Sequence, residues 1–127
     1  MKRILLALGL AAFSAISVAC SGTSAAKPPA PSGPAADGPT IVAKDLKFQT
    51  ASVEVKAGSN VTLHLDNEDS APHNIAVYTD SSAATALAVG DIVTSTTSDV
   101  VVPALQPGSY FFRCDVHHDM TGTIVAK

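Results

Sequence analysis

A short segment near the C-terminus brings three kinds of metal-binding side chain close together. Residues 114–120 read Cys-Asp-Val-His-His-Asp-Met, so that Cys114, His117 and Met120 follow one another at intervals of three residues. Thiolate and thioether sulfur favour Cu(I), and imidazole suits copper in both oxidation states. Upstream, His73 opens a predicted strand. If His73 converges on this segment, the four donors become the set of a blue-copper electron-transfer site.

The elements that must position these donors are short β-strands. Between residues 40 and 127, Val, Thr and Ile account for 26 of 88 positions. Turn residues interrupt the alternating runs about every 8–12 positions, which is typical of a β-sandwich or barrel. Because side chains alternate along a strand, Tyr110, Phe112 and Cys114 share one face. Cys114 should therefore point into the protein just as its strand ends.

The pattern predicts eight strands and one short helical piece. Ser81–Ala88 is rich in alanine and is the one stretch that favours a helix. The strands are expected near Thr40–Lys44, Ser52–Lys56, Asn60–Asp66, Asn74–Tyr78, Asp91–Thr94, Asp99–Val102, Ser109–Arg113 and Thr121–Ala126.

A longer pattern surrounds the possible ligands. Residues 107–114 read Pro-Gly-Ser-Tyr-Phe-Phe-Arg-Cys, residues 121–125 read Thr-Gly-Thr-Ile-Val, and residues 53–58 read Val-Glu-Val-Lys-Ala-Gly. With the pair His73–Asn74, these motifs resemble the cupredoxins, the blue type 1 copper proteins. The Cys-x2-His-x2-Met spacing is similar to that of amicyanins, whereas plastocyanins have two more residues before the Met. The resemblance covers residues 40–127.

The resemblance implies both a fold and a function. The fold would be all-β, a small Greek-key sandwich or barrel of about seven or eight strands. The function would be that of a small one-electron carrier with one type 1 copper ion. By analogy the copper ligands would be His73, Cys114, His117 and an axial Met120. Asn74 would brace the Cys loop and form a hydrogen bond near the thiolate, a support that orients ligands and tunes potential.

Several residues keep a second interpretation. In amicyanins and plastocyanins, the segment after the ligand histidine usually begins with proline, and this chain has His118 and Asp119 there. His118 therefore competes with His117 as the ligand. The family spacing favours His117. Cys114 could be a buried structural thiol or pair with Cys20. Met120 could be ordinary core packing. The remaining histidine, at position 64, is expected to be a solvated surface residue.

Other functions remain open for the same donors. A copper delivery protein would hold Cu(I) for transfer, and a non-catalytic interaction module would carry a vestigial site. Zinc is chemically possible, although a thioether contributes little to its binding. An enzyme is not expected. Multicopper oxidation needs further copper centres and several His-x-His motifs, and this chain offers only the adjacent His117–His118 pair. It also lacks a phosphate loop or a flavin fingerprint.

The N-terminus is typical of an exported protein. Residues 1–19 combine a basic start with an apolar run, as secretory signals do. Cys20 follows Ala19 as in a lipoprotein signal, although small residues at the junction also suit ordinary cleavage. Residues 20–39 contain five prolines and predict a disordered linker, with a reach of roughly 60 Å. The protein is therefore expected in the periplasm or on the outer face of the cell membrane, lipid-anchored at Cys20.

Charge restricts the class of partner. The chain has 8 basic and 11 acidic residues, and removal of the signal takes away Lys2 and Arg3, which leaves a net charge of −5 (6 − 11). An acidic surface argues against nucleic acid and against direct binding to anionic membrane. The expected partners are redox proteins, such as c-type cytochromes or a membrane oxidase or dehydrogenase. The chain is expected to be a monomer that touches the membrane only through its anchor.

Overall fold

The computed structural model describes residues 26–127, which form two β-sheets around one hydrophobic core. The predicted signal (residues 1–19) and Cys20 lie outside the described residues. Among the described residues no helix has the length and apolarity needed to cross a membrane. The strands are β1 (Ala36–Lys44), β2 (Lys47–Phe48), β3 (Ser52–Val55), β4 (Val61–Asn67), β5 (Ala76–Tyr78), β6 (Ala86–Val89), β7 (Thr97–Val102), β8 (Gly108–Arg113) and β9 (Thr121–Ala126).

The strands are arranged as an all-β sandwich. One sheet has the order β2-β1-β4-β7 and the other has the order β3-β9-β8-β5-β6. Most neighbours are antiparallel, but β1 pairs with β4 and β3 pairs with β9 in parallel. The predicted fold class is confirmed. Two strands were not predicted, the two-residue β2 and the edge strand β6.

The core is built by alternation along each strand. In β4, Val61, Leu63 and Leu65 are buried and the residues between them are half-buried. Phe112 of β8 packs against a phenylalanine of β2. A Cβ atom at Gly122 would lie 2.2 Å from the Phe112 ring, so only glycine lets this ring lie against β9. This contact anchors β8 two residues before Cys114.

The region between β5 and β7 departs from two sequence predictions. Ser81–Ala88 forms no helix, because its second half enters β6 and pairs with β5. Pairing with β5 gives hydrogen-bond partners to backbone N–H and C=O groups that a short helix would leave unpaired. This gain overrides the helix propensity of alanine. The predicted strand Asp91–Thr94 is also wrong. Only Val93 pairs there, as an isolated bridge to His73.

The described part of the predicted linker contacts the sandwich. β1 begins at Ala36, four residues before the predicted boundary at Thr40. The Ala36 amide donates to the carbonyl oxygen of Asn60 at 2.8 Å. Further upstream, Lys27 forms an ion pair with Asp91 at 2.8 Å. The chain therefore contacts the domain at Lys27 and again from Ala36 onward.

Candidate metal centre

Two neighbouring loops carry the predicted ligands. His73 lies between β4 and β5, and its backbone exchanges two hydrogen bonds with Val93, at 3.0 and 2.9 Å. Cys114 directly follows β8. Because Ala76 of β5 pairs with Arg113 of β8, the two loops leave the sheet side by side. The sheet register thus brings together residues that are 41 positions apart in sequence.

The loop that follows β8 is closed by its own backbone. The Cys114 amide donates to the Met120 carbonyl oxygen at 2.9 Å, and the Met120 amide donates to the His117 carbonyl oxygen at 2.9 Å. Met120 is buried and belongs to the same core cluster as Cys114. Both ends of this loop are therefore fixed in the core, and His117 lies between them, half-buried.

Three donor atoms face one another within this site. The Nδ1 atoms of His73 and His117 are 3.2 Å apart. The Cys114 Sγ atom lies 3.8 Å from the first and 3.9 Å from the second. His73 and Cys114 are both fully buried, at 0% exposure. Among residues 26–127, these three side chains form the one cluster suited to holding a metal ion.

The spacing of these atoms fits a metal ion. Typical bond lengths are about 2.0 Å to imidazole nitrogen and about 2.3 Å to thiolate sulfur. Distances of 3.2–3.9 Å between the donor atoms are compatible with one ion that all three would hold. A trigonal arrangement of two imidazoles and one thiolate, with a thioether as a weak axial ligand, is the arrangement that blue copper adopts. The residues present fit that ion.

Asp69 holds His73 in the required orientation. Its Oδ2 atom lies 2.9 Å from His73 Nε2, so Nε2 carries the proton and Nδ1 presents a lone pair to the site. The same carboxylate accepts the backbone amides of Asp45 and Leu46, at 2.8 and 3.0 Å. Hydrogen bonds, first that of Leu46 and then that of His73, lower the pKa of Asp69. The Asp69 carboxylate therefore stays ionised and accepts the hydrogen bond from His73 Nε2.

Asn74 contacts the Cys loop through its side-chain amide. It is almost fully buried, at 1% exposure. Its Oδ1 atom accepts the backbone amide of Asp115, the residue after Cys114, at 2.8 Å. Its amide nitrogen donates to the Gly90 carbonyl oxygen at 3.3 Å. Asn74 thus ties the Cys loop to the chain that leaves β6.

The other two histidines lie away from the donor atoms. His118 is exposed, and its Nε2 atom lies 3.1 Å from the carbonyl oxygen of Asp115. His64, expected to be solvated, instead contacts two carboxylates, with Nδ1 at 2.7 Å from Asp99 and Nε2 at 2.8 Å from Asp37. Of the two adjacent histidines in the Cys loop, only His117 faces Cys114.

Cys114 is a free, buried thiol, as a metal ligand requires. The alternative of a disulfide with Cys20 involves a residue that lies outside the described part of the chain. The burial of Cys114 also excludes solvent from its sulfur atom. A buried thiolate is stable only with a cation beside it, because burial penalises the charged form.

Sequence reasoning missed the residues that support the ligands. No motif in the sequence singles out Asp69, although it stands four residues before His73. Tyr78, Arg113 and Asp115 were read only as strand and loop residues, yet the carboxylate of Asp115 contacts both of the others. Their proximity arises from pairing between β5 and β8, which no local motif reveals.

Comparisons with known proteins agree with this geometry. A family model described as a cupredoxin-like domain matches residues 9–126. The chain is 33% identical to amicyanin-alpha of Methylorubrum extorquens over 127 residues, the whole length of both chains. The fold is similar to auracyanin A of Chloroflexus aurantiacus, with a TM-score of 0.61 and 21% identity over 71% of this chain and 100% of that chain. Amicyanin of Paracoccus versutus is also similar, with a TM-score of 0.57 and 24% identity over 71% of this chain and 81% of that chain. The chain belongs to the cupredoxin-like family.

Proposed function

We propose that this protein binds one type 1 copper ion and carries single electrons outside the cytoplasm. The ligands would be His73, Cys114, His117 and an axial Met120. The observation that carries the proposal is the convergence of two Nδ1 atoms and one Sγ atom, 3.2–3.9 Å apart, in a largely buried pocket. Family membership supports it, since one relative is named amicyanin-alpha and a structural neighbour is titled a blue copper protein.

The protein's part in electron transfer is to keep the donors still. When bound, copper supplies a one-electron change between Cu(II) and Cu(I). Asp69 holds the His73 ring, and the backbone bonds between Met120, Cys114 and His117 hold the loop. A site that does not rearrange between oxidation states lowers the reorganisation cost of each transfer. Burial of Cys114 keeps water from the thiolate.

His117 is the proposed exit point for electrons. It is half-buried, whereas His73 is fully buried. Three exposed apolar residues lie next in sequence to segments of the site, namely Leu46 at 55%, Ile92 at 58% and Val116 at 42% exposure. Exposed apolar side chains such as Val116, the residue before His117, suit brief contact with a redox partner, because they need no network of polar bonds.

The proposed partner is a basic redox protein such as a c-type cytochrome. Electrostatic attraction would speed the encounter, and salt would screen it over about 8 Å near physiological ionic strength. Of the acidic residues near the ligands, Glu68 pairs with Lys44 at 2.7 Å and Asp119 is exposed. Asp69 is different, because it contacts His73. Steering is therefore best tested at Glu68 and Asp119.

Export and anchoring complete the proposal. Residues 1–19 would direct export, and Cys20 would carry lipid. Replacement Cys20→Ser should release the protein from the membrane or stall its processing. A wild-type protein recovered fully soluble, with an unmodified N-terminus, would contradict the anchor without affecting the copper site.

The proposed function is tested by electron exchange followed by a metal count. Reduced, copper-loaded protein is mixed with a basic c-type cytochrome in a stopped-flow instrument at two salt concentrations. We expect electron transfer with copper retained, at a rate that falls steeply with ionic strength. Glu68→Gln and Asp119→Asn should each flatten the salt dependence, whereas Glu54→Gln, an equal change in net charge, should not. Loss of copper to an acceptor protein would instead indicate copper delivery.

A further inference from the structure

Asp115, directly after Cys114, is held through each of its polar groups. Its backbone amide donates to Asn74 Oδ1 at 2.8 Å, and its carbonyl oxygen accepts from His118 at 3.1 Å. Its Oδ1 atom accepts the Tyr78 hydroxyl at 2.5 Å and the Arg113 Nε–H at 3.3 Å. Two of these four contacts, those of Tyr78 and Arg113, fix the carboxylate itself. Its charge is therefore held in one place, at the residue that follows Cys114 in the chain.

The partners of this carboxylate form a partly buried group. Tyr78 is 6% exposed, and the side chains of Arg113 and Asp115 are 23% and 29% exposed. The Arg113 guanidinium lies 5.0 Å from the centre of the Tyr78 ring, within range of a cation–π contact. Burial, and then the bond to Asp115, raise the pKa of Tyr78, so its hydroxyl remains a donor. We call Tyr78, Arg113 and Asp115 the tuning group.

We propose that the tuning group sets the reduction potential of the copper ion held at Cys114. The anion of Asp115 favours the more highly charged Cu(II) and lowers the potential, and the cation of Arg113 opposes it. Arg113 and Asp115 are the chain neighbours of Cys114 and are only partly exposed, so solvent screens their charges incompletely. Tyr78 positions the Asp115 carboxylate. The inference rests on the proposed electron-carrier function.

The decisive experiment measures the Cu(II)/Cu(I) equilibrium against the ferricyanide/ferrocyanide couple. Asp115→Asn keeps the shape and an acceptor oxygen but removes the charge, and should shift the equilibrium toward Cu(I) by about fivefold. Arg113→Gln should shift it toward Cu(II) by a similar factor. Tyr78→Phe should shift it less, toward Cu(II), because the carboxylate loses a donor. In an Asp115→Asn background, Tyr78→Phe should have no effect.

Matched controls come from an ion pair elsewhere on the sandwich. Glu54 and Lys127 are paired at 2.6 Å and are well exposed. Glu54 lies beside Val125, which faces Ser109 at the opposite end of β8 from Arg113. Glu54→Gln and Lys127→Gln change the net charge as Asp115→Asn and Arg113→Gln do, and should shift the equilibrium less than about twofold. Tyr110→Phe is the control for Tyr78→Phe.

The outcomes separate this inference from the function on which it rests. If wild type takes up no copper or does not cycle, the electron-carrier function fails. If wild type cycles but Asp115→Asn and Arg113→Gln match their controls, or shift the equilibrium in the same direction, the tuning group is overturned. If Asp115→Asn does not fold, Arg113→Gln decides. Its shift toward Cu(II) should exceed that of its control Lys127→Gln, and the copper absorption spectrum reports whether the ligands are intact.

Discussion

His64 and His73 lie on the same sandwich but have opposite surroundings. Both ring nitrogens of His64 contact carboxylates, Asp99 at 2.7 Å and Asp37 at 2.8 Å. In His73 only Nε2 contacts a carboxylate, that of Asp69. Its Nδ1 atom faces other donor atoms inside the protein. His64 is 29% exposed at its side chain, whereas His73 is fully buried.

The comparison shows what makes a histidine a metal ligand in this fold. Two carboxylates favour the imidazolium form of His64, which neutralises their charge and leaves no lone pair for a metal. In His73 the single carboxylate contact is at Nε2, which leaves Nδ1 facing Cys114. Burial then removes competing water. The two rings therefore differ in whether both nitrogens contact carboxylates or one nitrogen faces Cys114.

The largest expected effect follows from removing the thiolate. Cys114→Ser should abolish the charge-transfer colour and lower copper affinity by more than about 100-fold, while the sandwich still folds. Absorption spectroscopy and far-ultraviolet circular dichroism check both parts. A variant that stays intensely coloured with copper would refute the assignment of Cys114 as the ligand.

A matched pair of histidine variants tests the comparison directly. His73→Gln should lower copper affinity by about 100-fold, and His64→Gln should leave it within about twofold. Copper that binds only the native state raises the melting temperature. We therefore expect a copper-dependent rise in wild type and in His64→Gln, and almost none in His73→Gln. Equal rises in both variants would mean that the buried cluster does not hold the metal.

Substitution of the carboxylates beside the two histidines should also affect copper affinity differently. Asp69→Asn weakens the bond that orients His73 and should reduce copper affinity about tenfold. Asp99→Asn, which removes a partner of His64, should leave the affinity unchanged. Competition with a chelator of known strength measures both. An unchanged affinity in Asp69→Asn would show that the backbone bridge to Val93 alone orients the ring.

The smallest expected effect is a pH dependence of the metal-free domain. Hydrogen bonds to Asp99 and then Asp37 raise the pKa of His64. Its protonated form therefore stabilises the fold fully below the unfolded pKa of about 6.5, and this stabilisation is lost as pH rises through the folded pKa. The contribution should be about 1 kcal/mol or less, because the pair is partly exposed. Urea unfolding measures the free energy of unfolding at pH 6 and at pH 9. The difference between the two values should be smaller in His64→Gln than in wild type.

Much of the site could be predicted because its key residues are close in sequence. The spacing of Cys114, His117 and Met120 encodes one loop, and strand alternation explains why Cys114 faces inward. His73 followed from its place before a predicted strand and from the family resemblance. The β-sandwich followed from β-branched residues and regularly spaced turns. Each of these inferences uses a period or a spacing, which a single sequence displays.

The rest depended on contacts between distant segments. The helix predicted for Ser81–Ala88 failed because β5 offered a pairing partner, and the chain before Thr40 proved to be partly a strand because β4 accepted it. The secondary-structure propensities of neighbouring residues predict neither of these strand pairings.

By itself, the sequence determined which donor atoms the protein possesses, that they lie on loops between strands, and that the fold is all-β. Only the tertiary structure decided which histidines act together. His64 and His73 are the same type of residue, but the sheet register places His64 between two carboxylates and His73 opposite a buried thiol. The physical reason is that the ionisation and the free lone pair of an imidazole depend on which groups surround it, and those groups arrive from strands far apart in the chain.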